Sequence, residues 1–408
     1  MADSSSASPL RLGRARRIRL VPRLKDQGYS PEDVDKRRRW VEEQTDSRLE
    51  HVGSYSISSE AMRGNIENPI GAVQMPLAVA GPLLLKGGHA EGTFYVPLAT
   101  TEGALVRSYE RGMVAITRAG GASVRVWVDE NRVSPVFFLE DVAAAHDFAQ
   151  RVNEHIDEIR EAAESTTRHG RLLGIECLPV GREVILNMSY FTGDAQGMNM
   201  IVRASEEACR WIQQHLDGPE YYVFSGYNSE KRASGSLLRG GKGKKVTAGV
   251  RLPASLVKAV LHISPERLAE VWHHTVLGHL RTGALGYNGH AANGLTALFI
   301  ACGQDVANVA NAAVCITNFE LLEGGDLYAS VTLPSLTVAT VGGGTGLGTS
   351  RECLEMLGCA GSGGALKFAE IAAATVLAGE LSMGGAIGSG EFVEAHELYG
   401  RNRPEKAP

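Results

Sequence analysis

Between residues 135 and 226 the spacing of hydrophobic positions changes in an orderly way, and each change predicts an element. PVFFLE (135–140) reads as a strand, and 141–164 as a charged amphipathic helix. Residues 171–179 and 183–190 read as two strands joined across Val-Gly-Arg, 198–216 as a second helix and 221–225 as a last strand. Upstream, Ser30-Pro31-Glu32-Asp33 is a helix start, with a capping hydroxyl, a proline at the first turn and acids at the positive dipole end. That helix is expected to run to about Arg48. Residues 242–320 and 360–400 are rich in Ala, Gly and Leu at helical spacing, with β-like pieces at 246–252, 327–333 and 337–340. Small-residue helices are expected at 283–294 and 376–390, and 371–387 reads as a buried helix carrying Glu380. No tandem repeat is present.

The order β-α-β-β-α-β over 135–223 matches the ferredoxin-like split βαβ unit, with chain on both sides of it. Composition narrows the class. The chain has 408 residues, 44% hydrophobic and 21% charged, so it can bury a large core. Its net charge of −5 does not suggest a nucleic-acid partner. Glycine is in excess, at 48 residues, without a collagen period. The six cysteines form no CxxC pair, no zinc-type spacing occurs, and a reducing cytoplasmic setting fits them. No unbroken run of about 20 apolar residues occurs, so no membrane span is expected. Residues 1–29 form a basic tail with Arg11, Arg14, Arg16, Arg17, Arg19 and Arg23, either an anionic-surface contact or else a solvated arm or a subunit-packing segment.

Neither a Gly-x-Gly-x-x-Gly fingerprint nor a P-loop occurs. Glycine-dense segments at 193–197, 240–243 and 342–348 could let backbone N–H groups approach phosphates, or could simply make tight turns. Four polar features stand out against apolar surroundings. Glu102 lies at a helix start. Asp305 closes an apolar helix where the dipole disfavours an acid, so another group should hold it. Asn288, His290 and Asn293 sit among small residues and need partners if buried. Ser225, Lys231 and Arg232 follow the last strand of the 135–223 module.

ENPIG (67–71), PLATTEGALV (97–106), GDAQGMNM (193–200), GYNGHAAN (286–293), ACGQD (301–305), TVGGGTGLG (340–348) and LAGELSM (377–383) occur in this order. Together they resemble 3-hydroxy-3-methylglutaryl coenzyme A (HMG-CoA) reductases, specifically the catalytic portion of the eukaryotic and archaeal class, over roughly residues 45–402. The resemblance implies an α+β protein: a large helix-rich substrate-binding domain (53–134 and 224–408) with an inserted ferredoxin-like cofactor-binding domain (135–223). Residues 1–52 would form an N-terminal tail and helical segment. It also implies reduction of HMG-CoA to mevalonate and free CoA with two NADPH, in the mevalonate pathway to isoprenoids. A cytoplasmic homodimer or larger oligomer follows, its active site at a subunit interface and ENPIG near the dimer contact.

Residue by residue, the resemblance casts Lys231 as the oxyanion-stabilising cation, Glu102 as proton donor to the developing alcohol and Asp305 as the carboxylate coupled to both. His396 matches a mobile C-terminal histidine that protonates the CoA thiolate. Ser225, Arg232, His290 and Asn293 match substrate contacts. Asp194, Gln196, Gly197 and Asn199 match the dinucleotide loop, and Gly343, Gly344 and Thr345 a place near its phosphates. Thr167 and Arg168 fall where a 2′-phosphate would be held, which favours NADPH over NADH. The chain departs from the family at Glu230-Lys231-Arg232-Ala233, where Asp-Lys-Lys-Pro is usual. The family's substrate arginine falls on Val133, beside Arg132. Asn402 stands where animal members carry a regulated serine. A degradative NADH-using enzyme and a non-catalytic CoA or dinucleotide binder are the other readings.

Overall fold

The computed structural model describes residues 20–24 and 28–399. The arginines of the tail before residue 20 and Asn402 lie outside the described residues. The chain divides into two compact units, residues 1–74 and 75–408. In the first, helices α1 (Pro31–Thr45) and α2 (Glu50–Gly53) are described. Ser30 Oγ accepts the Asp33 N–H at 3.2 Å, as the capping pattern requires. The helix stops three residues short of Arg48, because Asp46 turns left-handed at φ +53°.

The second unit opens with β1 (Leu77–Gly87), β2 (Glu91–Ala99), α3 (Leu105–Arg118), β3 (Ala122–Val133) and β4 (Val136–Phe138). Next come α4 (Val142–Glu154), α5 (Ile156–Glu164), β5 (Arg171–Val180), β6 (Glu183–Phe191), α6 (Met198–His215) and β7 (Tyr221–Tyr222). Then follow β8 (Gly243–Leu252), α7 (Ala254–Leu261), α8 (Pro265–Thr282), α9 (Ala291–Ala301), α10 (Val309–Ala312), β9 (Ile316–Leu321) and β10 (Leu327–Leu336). The chain ends in α11 (Gly348–Met356), α12 (Ala365–Ser389) and α13 (Phe392–Tyr399). The fold therefore mixes helices and a large sheet, in which β7, β4, β6, β3, β8, β10 and β9 lie side by side in that order.

Two apolar cores share this sheet. Over 135–223, β7, β4, β6 and β5 are neighbours in that order and all antiparallel. Their core is their own, with Phe137, Phe148, Ile159, Leu186 and Ile212 fully buried. Three details differ from the sequence expectation. The 141–164 helix is two helices, broken at His155 (φ −106°). The 221–225 strand shortens to Tyr221–Tyr222, since Ser225 bonds the Ser134 carbonyl instead of a strand. The 337–340 stretch is not a strand, because Gln304 takes the Ala339 N–H and carbonyl through its side chain.

The larger core gathers around α12, whose middle from Phe368 to Ser382 is buried throughout. Its length and apolar composition alone would let it cross a membrane, yet here it is the central helix of a protein core. Small residues bring it against α3: Gly379 lies under the Tyr109 ring, and a Cβ at Gly112 would stand 1.8 Å from the Ala378 carbonyl oxygen. That contact is backbone against backbone, so neither side can yield. Gly112→Val should cost at the upper end of the roughly 1–3 kcal/mol typical of overpacked cores. Urea unfolding followed by circular dichroism would read it, and an unchanged midpoint would refute the packing argument.

Candidate active site

A cleft of about 260 Å³ opens between α3, the start of α9 and the end of α12, lined by Glu102, Ser108, Arg111, His290, Ser382 and Phe392 among others. Glu102 precedes α3 in a turn that ends with Ala104 at φ +68°, a conformation a side chain adopts only where its surroundings impose it. The Asn293 amide donates to Glu102 Oε1 at 3.3 Å. Asn288 and His290 are not on a helix, since α9 begins at Ala291. Their loop is held from below by the buried Glu380 carboxylate. Its oxygens accept Gly289 N–H at 2.6 Å, His290 N–H at 2.9 Å and the Thr317 hydroxyl at 3.0 Å. Tyr109 donates its hydroxyl to the His290 carbonyl at 3.2 Å. Burial, and then the nearby Glu380 charge, push the Tyr109 phenol well above its ordinary range, so it stays protonated.

A second group forms where the loop after β7 meets the turn after α9. Lys231 Nζ lies 2.7 Å from Asp305 Oδ2. The other oxygen of Asp305 accepts the Ala307 N–H at 3.1 Å, so the acid that the dipole argument left unexplained both caps a turn and holds a cation. Hydrogen bonding to Asp305 raises the Lys231 pKa against the opposing effect of burial, and keeps the ammonium charged. Ser225 donates to the Ser134 carbonyl at 2.7 Å, tying the loop to the β3–β4 junction, and Arg232 donates to the Gly226 carbonyl at 3.3 Å within its own loop. Among the described residues no hydrogen bond or ion pair joins Lys231 or Asp305 to Glu102 or Asn293 within this chain.

Two of the three glycine-dense segments meet at Asp194. Its carbonyl accepts Thr340 N–H at 2.9 Å and Val341 N–H at 3.2 Å. Its carboxylate accepts Gly363 N–H at 2.8 Å, Ala365 N–H at 3.1 Å and the Ser362 hydroxyl at 3.2 Å, at the start of α12. Asp194 thus spends its charge on protein N–H groups and fixes the loop rather than pointing at a ligand. Gly197 (φ +74°) leads into α6, with Asn199 in its first turn. The Asn131 amide holds the Gln196 carbonyl at 3.0 Å. Gly343, Gly344 and Thr345 make a short turn whose Gly344 backbone touches Gly303, two residues before Asp305. The 240–243 segment belongs elsewhere: Gly241 packs on the Arg132 guanidinium, and Gly243 on the Leu336 and Thr337 backbone.

Thr167 Oγ1 caps a turn by accepting Gly170 N–H at 3.0 Å, and donates to Met200 Sδ at 3.0 Å. Arg168 beside it is exposed. Val133, at the family's arginine position, is fully buried in the smaller core, and Arg132 pairs with Glu130 at 2.7 Å. His396 lies on α13; the placement of its side chain is outside the described set. At the head of α13, Glu391 bonds Arg111 at 3.1 Å and His262 at 2.7 Å. Glu380 and Lys242 escaped the sequence reading as site residues. The signal was available for Glu380, since a carboxylate amid apolar helix must find donors.

The residues so placed fall into two groups within this chain: an Asn293–Glu102 hydrogen bond at the cleft and a Lys231–Asp305 ion pair on the loop after β7. The family profile of hydroxymethylglutaryl-coenzyme A reductase matches residues 33–401. The chain is 44% identical to the 3-hydroxy-3-methylglutaryl-coenzyme A reductase of Methanothermobacter thermautotrophicus, over 91% of this chain and 94% of that protein. It is 43% identical to the enzyme so named from Aeropyrum pernix, over 92% and 91%. Its fold superposes on the class II 3-hydroxy-3-methylglutaryl-CoA reductase of Streptococcus pneumoniae bound to NADPH, with a TM-score of 0.67 at 20% identity, covering 88% of this chain and 98% of that one. The chain belongs to the HMG-CoA reductase family.

One consequence concerns Asp194. Its carboxyl is burdened by burial, but the Gly363 and Ala365 N–H groups outweigh this and hold its pKa below the ordinary value. Such a group stabilises the fold above the unfolded-state pKa, and loses that contribution as pH falls through the lower folded value. Asp194→Asn should cost about 1 kcal/mol, the scale of a lost cap. The gap between parent and variant should be full at neutral pH and shrink below about pH 4. Thermal melts across that range measure it; a gap that widens on acidification would contradict the assignment.

Proposed function

We propose that this protein reduces HMG-CoA to mevalonate and free CoA, using two NADPH, in the mevalonate pathway to isoprenoid precursors. The observation that carries the reading is the Lys231–Asp305 pair at 2.7 Å, on the motif positions that the resemblance marks as catalytic. It also counts against a non-catalytic binder, which has no need of a poised cation.

Lys231 stabilises the oxyanion formed at the thioester carbon, and again at the aldehyde. Asp305 aligns that ammonium. Glu102, oriented by Asn293, delivers the proton to the developing alcohol. His396, carried on α13 beyond the Gly390 turn (φ +83°), protonates the departing thiolate. His290 and Asn293 contact substrate in the cleft, while Ser225 and Arg232 do so on the lysine loop. NADPH supplies the two hydrides when bound. The chain suits its phosphates: Gly342 (φ +83°) and Gly343 (φ +56°) present open backbone with nothing within 4 Å of a Cβ position. Thr167 and exposed Arg168 take the 2′-phosphate; Gln196, Gly197, Asn199, Gly344 and Thr345 shape the groove, and Asp194 holds it in place.

The same reading takes 135–223 as an inserted ferredoxin-like cofactor module, supported by its antiparallel strand order and separate core. Residues 53–134 and 224–408 then form the substrate-binding domain, and 1–52 a leading segment. A homodimer or larger oligomer completes the site in the cytoplasm. Exposed Leu77, Val79 and Tyr95 on the β1–β2 hairpin offer an apolar contact face, with 52%, 51% and 56% of their surface free in the single chain.

Purified protein should oxidise NADPH in the presence of HMG-CoA, followed by absorbance; a folded but inactive protein refutes the proposal. Lys231→Ala should abolish both reductions, whereas His396→Ala should spare reduction of free mevaldehyde, which has no thiolate to protonate. Arg168→Ala should lower kcat/KM for NADPH while leaving that for NADH nearly unchanged, eroding the preference by roughly the tenfold or more expected of a charged phosphate contact. Equal losses with both cofactors would show that Arg168 does not read the 2′-phosphate.

A further inference from the structure

Lys242 is a lysine almost wholly inside the protein, with 1% of its side chain exposed, and its ammonium forms an ion pair with Glu230. Its other contacts are a weak acceptor, Met198 Sδ at 3.2 Å, and a long bond to the Arg132 carbonyl at 3.5 Å. The Glu230 carboxylate is therefore the group that neutralises it. Burial pulls the Lys242 pKa down and Glu230 opposes this. Glu230 immediately precedes Lys231. It also sits between two left-handed residues, Ser229 (φ +51°) and Lys231 (φ +54°), so the loop turns sharply on either side of an anchored side chain. The second carboxylate oxygen of Glu230 accepts the Gln196 amide at 3.2 Å, and the Gln196 carbonyl is itself fixed by Asn131 at 3.0 Å.

We infer that Glu230 and Lys242 form a buried positioning pair that sets Lys231 against Asp305 and ties it, through Gln196, to the 193–197 loop. The inference rests on the proposed role of Lys231 and deepens it. Neither Glu230 nor Lys242 is assigned contact with reacting atoms. Their work is to fix the backbone from which Lys231 extends. A shift of the 193–197 loop on dinucleotide binding then reaches Lys231 through one hydrogen bond and one peptide unit. A glutamate suits this role better than a shorter aspartate, because it must reach a lysine that starts from the first residues before β8.

The test uses Lys242→Met, Glu230→Gln and the double variant, with two readouts. The first is steady-state NADPH oxidation with HMG-CoA. The second is the rate at which an amine-reactive acetylating reagent labels Lys231, measured by mass spectrometry, which needs no turnover. Lys242→Met strands a buried carboxylate, so kcat should fall about tenfold or more with little change in KM, as for a misplaced catalytic group. Labelling of Lys231 should quicken as its pairing with Asp305 loosens. The double variant, neutral on both sides, should return both readouts most of the way to the parent. A Lys242→Met protein with parental kcat and labelling overturns the inference, as does a double variant as impaired as the single one. If Lys242→Met does not fold, Glu230→Gln carries the test, since it keeps shape and the Gln196 bond; unchanged kcat and labelling in it overturn the inference equally. Should the parent itself fail to turn over, the proposed function falls while labelling still judges the pair.

Discussion

The site depends on a helix that buries its own charges. α12 runs through the larger core, yet it carries Glu370 and Glu380 with no lysine or arginine of its own as a partner in those contacts. Each carboxylate is satisfied by neutral donors from other elements: Glu370 by the Gly88, His89 and Ala90 N–H groups of one loop, and Glu380 by the Gly289 and His290 N–H groups of another and by the Thr317 hydroxyl on β9. A buried carboxylate that loses such donors is costly, so the loops cannot drift without a penalty. The helix start is tied in the same currency, through Asp194. One rigid element thereby holds the 193–197 loop at one end and the His290 loop near the other.

This arrangement explains the glycine excess better than loops alone do. For α12 to reach these partners, other elements must come close to it. Gly112 and Gly379 bring α3 and its Tyr109 within contact, and Gly385 admits Leu261. Tyr109 then hydrogen-bonds the His290 carbonyl, so close helix packing and loop geometry are one constraint rather than two. Of the remaining conspicuous glycines, Gly342, Gly343 and Gly346 leave open backbone, whereas Gly197 packs on Thr192 and Gly344 on Gly303.

Much of this was legible along the chain. The 135–223 pattern located the four strands and the helical stretches between them, though it read α4 and α5 as one helix, because alternation and helical spacing are local signals, and Ser30 capped as its position predicts. Element ends were less legible: His155 breaks a continuous helical pattern, and Ser225 leaves its strand for the Ser134 carbonyl, both through contacts distant in sequence. The site divides in the same way. Motifs picked out Glu102, Lys231, Asp305 and Asn293, and the structure pairs them two by two. Asp194 was visible as a loop acid, but its target, the start of α12, lies about 170 residues away. Lys242 was hidden in a glycine-rich segment that could equally have been a phosphate loop. What makes it important is burial, which no local pattern reports.

The charges of the lysine loop complete the argument about preorganisation. A free surface ammonium would have to be collected and oriented when an oxyanion forms. Lys231 is about half exposed, yet it is held at 2.7 Å by a carboxylate whose other oxygen is already bound to a backbone N–H. Asp305 cannot swing away with its partner, so the ammonium keeps its direction. On the proposed role of Lys231, the cost of that alignment is met during folding rather than during reaction, which is how fixed dipoles and charges lower a barrier. The hydrogen bond to Asp305 also raises the Lys231 pKa above an ordinary value that is already basic. Glu102 is held separately, by the Asn293 amide at 3.3 Å, and is not part of this ion pair within the chain.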